Sequence, residues 1–185
     1  MARAPLTVRD AVVADSDALL AMWATLGSGV VSPSASDEAA HAVARVRESL
    51  TERLVVGEID GRVVGVIHLR RGPMSPLHTQ EVVHTSFLLV APEDRRHGYA
   101  RFLLDVAVTW AEELGLDHVT ALTTSASREA NRFMARLGLA STATLRMAPV
   151  AVLRSKLNPA PRVGATAARQ VLAQRRSLRR RQAAR

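Results

Sequence analysis

Residues Val82 to Leu104 read VVHTSFLLVAPEDRRHGYARFLL. The apolar run that ends at Val90-Ala91-Pro92 has the character of a strand. A polar loop with paired arginines covers Glu93 to His97, and Gly98-Tyr99-Ala100 opens an amphipathic helix. A strand that turns tightly into a helix N-terminus makes an anion site. The first-turn amides have no intrahelical acceptor, and the helix dipole adds partial positive charge there. Gly98 lets the backbone approach a phosphate, Ala100 keeps the next approach small, and Arg95 and Arg96 add full charges suited to phosphate.

Outward from this segment the chain alternates in a definite order. Leu6–Val13 reads as a strand, and Asp15 is placed to cap a helix over Ser16–Leu26. Gly27–Ser36 is a loop rich in Gly, Ser and Pro, and Ser36 is placed to cap a second helix running to about Arg53. Leu54–Ile59 and Arg62–Leu69 read as strands joined by Asp60-Gly61, a strong hairpin signal. Gly72–Gln80 reads as a loop, Glu81–Ala91 as a strand and Gly98–Leu114 as a helix, with Phe102, Leu103, Val106, Trp110 and Leu114 on its buried side. A strand over His118–Thr124 follows. Then come a helix over Arg128–Leu137 capped by Ser127 and a last strand near Ala143–Met147. The expected class is mixed α/β in the order β-α-α-β-β-β-α-β-α-β. Its centre is a right-handed β-α-β unit with parallel strands.

Val90, Pro92, Arg95, Gly98 and Ala100 stand at the spacing V-x-P-x-x-[QR]-x-x-G-x-[GA]. In that spacing the segment resembles the pyrophosphate loop of the GNAT family, the acetyl-CoA-dependent N-acetyltransferases. The element order is similar to that of the GNAT fold over roughly residues 6–150. The resemblance implies acetyl-CoA as cosubstrate and direct attack on its thioester by an amine of a small molecule or peptide. It implies a pyrophosphate cradle made by Arg95, Arg96, His97, Gly98, Tyr99 and Ala100, chiefly through backbone amides. It places the pantetheine arm along Leu88, Leu89 and Val90, where the strand would splay from His118–Thr124. Read without the resemblance, the loop is an ordinary β-α turn and Leu88–Val90 a buried strand end.

The reaction needs a base for the ammonium and help for the leaving thiolate. In parts of the family a carboxylate lies six residues before the valine, where this chain has His84. Alternation places His84 on one strand face with Ser86, Leu88 and Val90. Histidine titrates near neutral pH, so His84 suits a base. The other reading is a half-buried histidine bonded to a backbone carbonyl. Glu81 is the second expected base, acting through water, and His118 a third, set more naturally at a solvent-facing strand end. For the acid, many members carry N-x-x-A-x-x-[LF]-Y-x-x-x-G-F. Here Ala130, Phe133 and Gly138 match, but Ser127 replaces the asparagine and Met134 the tyrosine. Methionine donates no proton, which leaves an unassisted thiolate, water, Ser125 or Ser127. Asn131 either contacts CoA or is a solvated helix residue. The alternative function is a non-catalytic module that binds or senses acyl-CoA and docks on an acidic partner through the tail.

The chain has 185 residues and 48% hydrophobic residues, enough for one domain with a core. The absence of cysteine excludes disulfides, zinc-thiolate sites and thiol nucleophiles. The six histidines are scattered, so no metal site is expected. No apolar run is long enough for a membrane span and no signal peptide is read, so the expected setting is cytoplasmic. Of the net charge of +8, ten basic residues and no acidic ones lie from Arg154 onward, which leaves residues 1–153 at −2. The expected division is therefore an acetyltransferase-like domain over 1–153 and a basic, helical tail over 154–185. The tail reads three ways: a solvated end, a contact with the domain or a sister subunit in a homodimer, or a phosphate-driven contact with nucleic acid or the ribosome.

Overall fold

Asp60 and Gly61 have φ of 49° and 78°. Two consecutive positive values match the right-handed twist of the flanking strands, so this two-residue turn closes a hairpin. The computed structural model describes residues 5–26, 35–124 and 127–157. The hairpin joins β2 (Glu52–Ile59) to β3 (Arg62–Pro73), both longer than the sequence pattern indicates. With β1 (Thr7–Asp10), β4 (Glu81–Val90) and β5 (Val119–Ala121) they form one sheet in the order β1-β2-β3-β4-β5. The first three pairings are antiparallel and β4–β5 is parallel. The parallel pair is bridged by α3 (Tyr99–Glu113). The expected mixed α/β class and its β-α-β centre are present.

The two faces of the sheet are covered differently. On one lie α3 and α4 (Arg128–Arg136): Leu103, Leu104, Trp110 and Met134 pack with Val55, Ile67, Leu69 and Val83. On the other lie α1 (Ser16–Ala24) and α2 (Ala35–Arg47), whose Leu19, Met22 and Val43 pack with Val56 and Val66. A smaller cluster of Ile59, Val64 and Tyr99 anchors the start of α3 to the hairpin end of the sheet.

Several local expectations change. Asp15 does not bond the first turn of α1. Its carboxylate accepts from the Val12 amide at 2.8 Å and from two Arg9 nitrogens at 2.7 and 2.9 Å. Arg9 also holds Glu58 at 2.6 Å, so one guanidinium ties β1, β2 and the entry to α1 together. That pairing draws the Asp15 pKa below the ordinary carboxylate range and raises that of Arg9. Ser36 lies inside α2 and donates to Asp17 at 2.8 Å. Phe102 is 57% exposed, because the helical period that buries Leu103, Ala107 and Trp110 turns it to the margin. Residues 143–147 form no strand; their short alternation offers only Leu145 and Met147 as large apolar side chains, and Pro149 cuts it off.

Residues Met1–Ser141 make one compact unit and Thr142–Arg185 a second. The described part of the second carries α5 (Val150–Leu157), and the charge-based boundary at 153/154 lies inside this helix. The expected tail helix beyond it lies outside the described residues.

Candidate functional site

The loop after β4 is built around a buried carboxylate. A short 3-10 turn covers Pro92–Asp94, and Asp94 is only 2% exposed. Arg62, the first residue of β3, donates to both Asp94 oxygens, at 2.7 and 3.0 Å. The His97 ring donates from Nδ1 to the Asp94 carbonyl at 3.0 Å and stacks on Tyr99, centroids 5.6 Å apart. The Tyr99 side chain is buried, with Ile59 and Val64 beside it. Arg95 donates from Nε to the Val90 carbonyl at 3.3 Å. Arg96, at φ 66°, is held in the left-handed region that a non-glycine residue enters only at a cost.

Gly98 caps α3 at φ 81°, and a Cβ built on it would meet nothing within 4 Å. Open space therefore fronts the first-turn amides of α3, at the positive end of its dipole. The exposed side chains of Arg95 and Arg96 flank that space. A neighbouring groove of about 420 Å³ is lined by Gly98, Arg101, Phe133, Arg136 and Leu137 and adds two more guanidinium groups. This arrangement fits a diphosphate linked to a further phosphate, as CoA carries.

The splay expected between the parallel strands is present. β5 pairs with β4 only at Val83, His84 and Thr85, and a last bond runs from the Leu122 amide to the Thr85 carbonyl at 2.8 Å. Beyond Thr85 the β5-side edge of β4, from Ser86 to Val90, has no strand beside it among the described residues. Backbone polar groups on such an edge take an extended amide ligand as they would another strand.

The register between β3 and β4 corrects one expectation. Val66 pairs with Leu89 but His68 with Ser86, so Ile67 faces both Phe87 and Leu88. This is a bulge in β4, with Phe87 at φ 51°. The extra residue reverses the alternation beyond it. Leu88 packs with Val83 on the α3 face, and Leu89 packs on the α1–α2 face. His84 and Ser86 therefore do not share a face with Leu88 and Val90. The Phe87 ring, 43% exposed, lies 5.2 Å from that of Trp23 on α1.

The proton-transfer residues expected from the sequence are distributed along β4 and beyond. His84 is half-buried. Nε2 lies 3.2 Å from the Pro73 carbonyl, so it donates, and Nδ1 accepts from Thr120 Oγ1 at 2.9 Å. Glu81 is paired with Arg71, whose Nε donates to it at 2.6 Å. It sits at the start of β4, about 20 Å along the strand from Phe87 at 3.3 Å per residue. His118 is exposed at the start of β5. Asn131 donates to the carbonyls of Thr124 and Ser127 at 3.1 and 2.7 Å, which fixes the turn into α4. Ser127 accepts from the Ala130 amide at 3.2 Å as a helix cap. Met134 is buried in the core under α3. Ser125 lies outside the described residues.

Sequence reasoning did not single out His68. Its Nδ1 is 3.0 Å from Ser86 Oγ, and its Nε2 is 3.7 Å from Glu52 Oε2. Burial holds its pKa below the ordinary histidine value, with Arg45 and Arg70 adding to the effect and Glu52 opposing it.

The family model for the GNAT acetyltransferases matches residues 22–139, well over half of the chain. The chain belongs to the GNAT acetyltransferase family. It is an acetyltransferase whose cosubstrate is acetyl-CoA. Among solved structures it is similar to a transcriptional regulator from Bacillus halodurans C-125, at 20% identity and a TM-score of 0.68 over 78% of this chain and 100% of that one. It is also similar to the aminoglycoside N-acetyltransferase AAC(6')-Iy in complex with CoA, at 14% identity and a TM-score of 0.65 over 78% and 94%. The glucosamine-6-phosphate N-acetyltransferase of Arabidopsis thaliana aligns at 12% identity and a TM-score of 0.65 over 79% and 99%. At these identities the likeness is one of fold. No curated protein matches the chain in sequence.

Within the GNAT fold, the loop at Gly98 follows directly on the open edge of β4. The bulge at Phe87 sets which β4 side chains lie on each face of the sheet beyond it.

Proposed function

We propose that this acetyltransferase moves the acetyl group of acetyl-CoA directly to an amine of a small molecule or peptide. The observation that carries the reading is the pairing of a phosphate cradle at Gly98 with an open strand edge leading from it, Val90 back to Ser86. The amides of the Arg95–Ala100 loop would hold the pyrophosphate, with Arg95 and Arg96 supplying charge. Leu88, Leu89 and Val90 would pair with the amide-bearing arm. The attacking nitrogen forms a bond to the thioester carbon, the C–S bond breaks, and the electron pair leaves on sulfur. With Met134 in the core, the thiolate takes its proton from water. Its acidity, near 8.5 for an ordinary thiol, makes it a tolerable leaving group.

His84 and Glu81 have the right chemistry to take the ammonium proton. Both are engaged: His84 through both ring nitrogens between Pro73 and Thr120, Glu81 by Arg71. Those bonds favour a role for His84 in joining β4 to β5 at the mouth of the splay. The aminoglycoside and glucosamine-6-phosphate acetyltransferases of the same fold support an amine acceptor in general terms. We place the reaction in the cytoplasm, where acetyl-CoA is available; no helix among the described residues is long and apolar enough to cross a membrane.

The test is amine-dependent release of free thiol from acetyl-CoA, scored across aminosugars, polyamines, arylalkylamines and peptides with free N-termini. One acceptor class should give turnover that saturates in both substrates. Tight donor binding with no release by any class would contradict transfer and favour an acyl-CoA-binding module.

A further inference from the structure

The groups on β4 with base chemistry are engaged, yet the reaction requires a proton acceptor near the reacting end of the donor. An arm that starts at the Gly98 amides and follows the open edge back from Val90 reaches Ser86 after about 13 Å at 3.3 Å per residue. Ser86 is the first residue past the last β4–β5 pair and the last before the bulge. It faces the α1–α2 side, where the exposed Phe87 ring and Trp23 form an apolar wall. Its hydroxyl lies 3.0 Å from Nδ1 of His68.

We infer that His68, acting through Ser86, accepts the proton of the attacking amine while Glu52 orients the imidazole. The inference rests on the acetyl-transfer reading. A carboxylate only accepts, so Glu52, 3.7 Å from Nε2, favours the Nε2–H form, in which Ser86 Oγ–H donates to Nδ1 at 3.0 Å. The charged groups around the ring are Glu52 on β2, Arg45 on α2 and Arg70 on β3 itself, while β4 presents the uncharged Ser86. Arg45 also binds Glu52, at 3.1 Å, and holds it in place.

The proton balance closes. One ammonium proton passes to Ser86 Oγ as the Ser86 proton passes to His68 Nδ1. The freed amine lone pair forms the N–C bond, the C–S bond breaks, and thiolate leaves. The second N–H proton of the adduct goes to solvent, and the thiolate takes its proton from water. The imidazolium formed in the half-buried site faces the Glu52 carboxylate, which compensates its charge. Because burial favours the neutral ring, His68 keeps its lone pair at neutral pH, which a base requires.

The test is nitrogen NMR of the full-length protein with labelled histidine. The six imidazoles are assigned with His68→Gln and His84→Gln and titrated from acid to alkaline pH, alone and with saturating acetyl-CoA. His68 should be neutral at neutral pH in its Nε2–H form and titrate below the ordinary 6.5. Its titration should move further down when acetyl-CoA excludes water, and Glu52→Gln should weaken the preference for the Nε2–H form. A His68 that is protonated at neutral pH, or whose titration ignores the bound donor, overturns the inference while leaving donor binding intact. Calorimetry on the same sample separates the two readings: failure of acetyl-CoA to bind removes the acetyl-transfer reading and this inference together.

Discussion

Arg62 grips the Asp94 carboxylate with two bonds, 2.7 and 3.0 Å, from a guanidinium that is itself half exposed to a carboxylate that is almost wholly buried. The hairpin end of β3 thereby sets the shape of the loop ahead of α3. Removing Arg62 takes two charge-assisted bonds from a buried acid, which destabilises the loop. Arg62→Met should lower the melting temperature and weaken acetyl-CoA binding, although Arg62 need not touch the donor. Thermal denaturation and calorimetry on the variant check both effects.

Gly65 governs how closely α3 approaches the sheet. A Cβ at this position would lie 2.8 Å from Leu103 Cδ1 and 3.2 Å from the Leu89 carbonyl oxygen. The side chain can shift, but the strand carbonyl cannot move without disturbing the bulge. Gly65→Ala should destabilise the fold by about 1–3 kcal/mol, as overpacking does. It should also weaken donor binding by displacing the helix N-terminus. Chemical denaturation gives the first quantity and a donor titration the second.

Met134 stands where many family members carry tyrosine, and it is packed among Leu103, Leu104 and Trp110. Met134→Tyr should not raise turnover and should cost about 1–3 kcal/mol, since the larger ring overfills the core. Met134→Ala should cost about 2–5 kcal/mol through the cavity it leaves. A stable tyrosine variant with faster thiol release would show that position 134 faces the thioester.

The Asp15 carboxylate is held below its ordinary pKa chiefly by its bonds with Arg9. A carboxylate with a depressed folded-state pKa contributes stability that is present above its unfolded value, about 3.9, and is lost as pH falls through the folded value. The acid limb of the melting-temperature profile should therefore steepen below about pH 4. Arg9→Met should flatten that limb and lower the neutral-pH plateau.

What could be read from the sequence was local. Asp60-Gly61 names its own turn, and Gly98 ahead of an amphipathic run names a helix start that leaves its amides open. The bulge carries no such mark. Phe87 occupies a positive φ without being glycine, and the apolar pattern of β4 runs through it unbroken, so the reversal of faces beyond it is hidden. His68 was out of reach for a related reason. The hairpin fixes its partner on β2, but its neighbour on β4 depends on the loop after Pro73 and on the bulge. Asp15 looked like a helix cap because caps and ion-pair partners use the same residue types. The choice was made by Arg9, six residues earlier on another element.

The most direct measurement is calorimetric titration of acetyl-CoA into the wild-type protein and into Gly98→Glu. Nothing lies within 4 Å of a Cβ at Gly98, so the fold has room for the substitution apart from the strain of φ 81°, about 1–2 kcal/mol. A carboxylate there faces the phosphates. The account predicts micromolar binding to the wild type and its loss in the variant, with circular dichroism showing both folded. Equal binding to the two proteins would contradict the assignment of the loop, and no binding to the wild type would contradict the account as a whole.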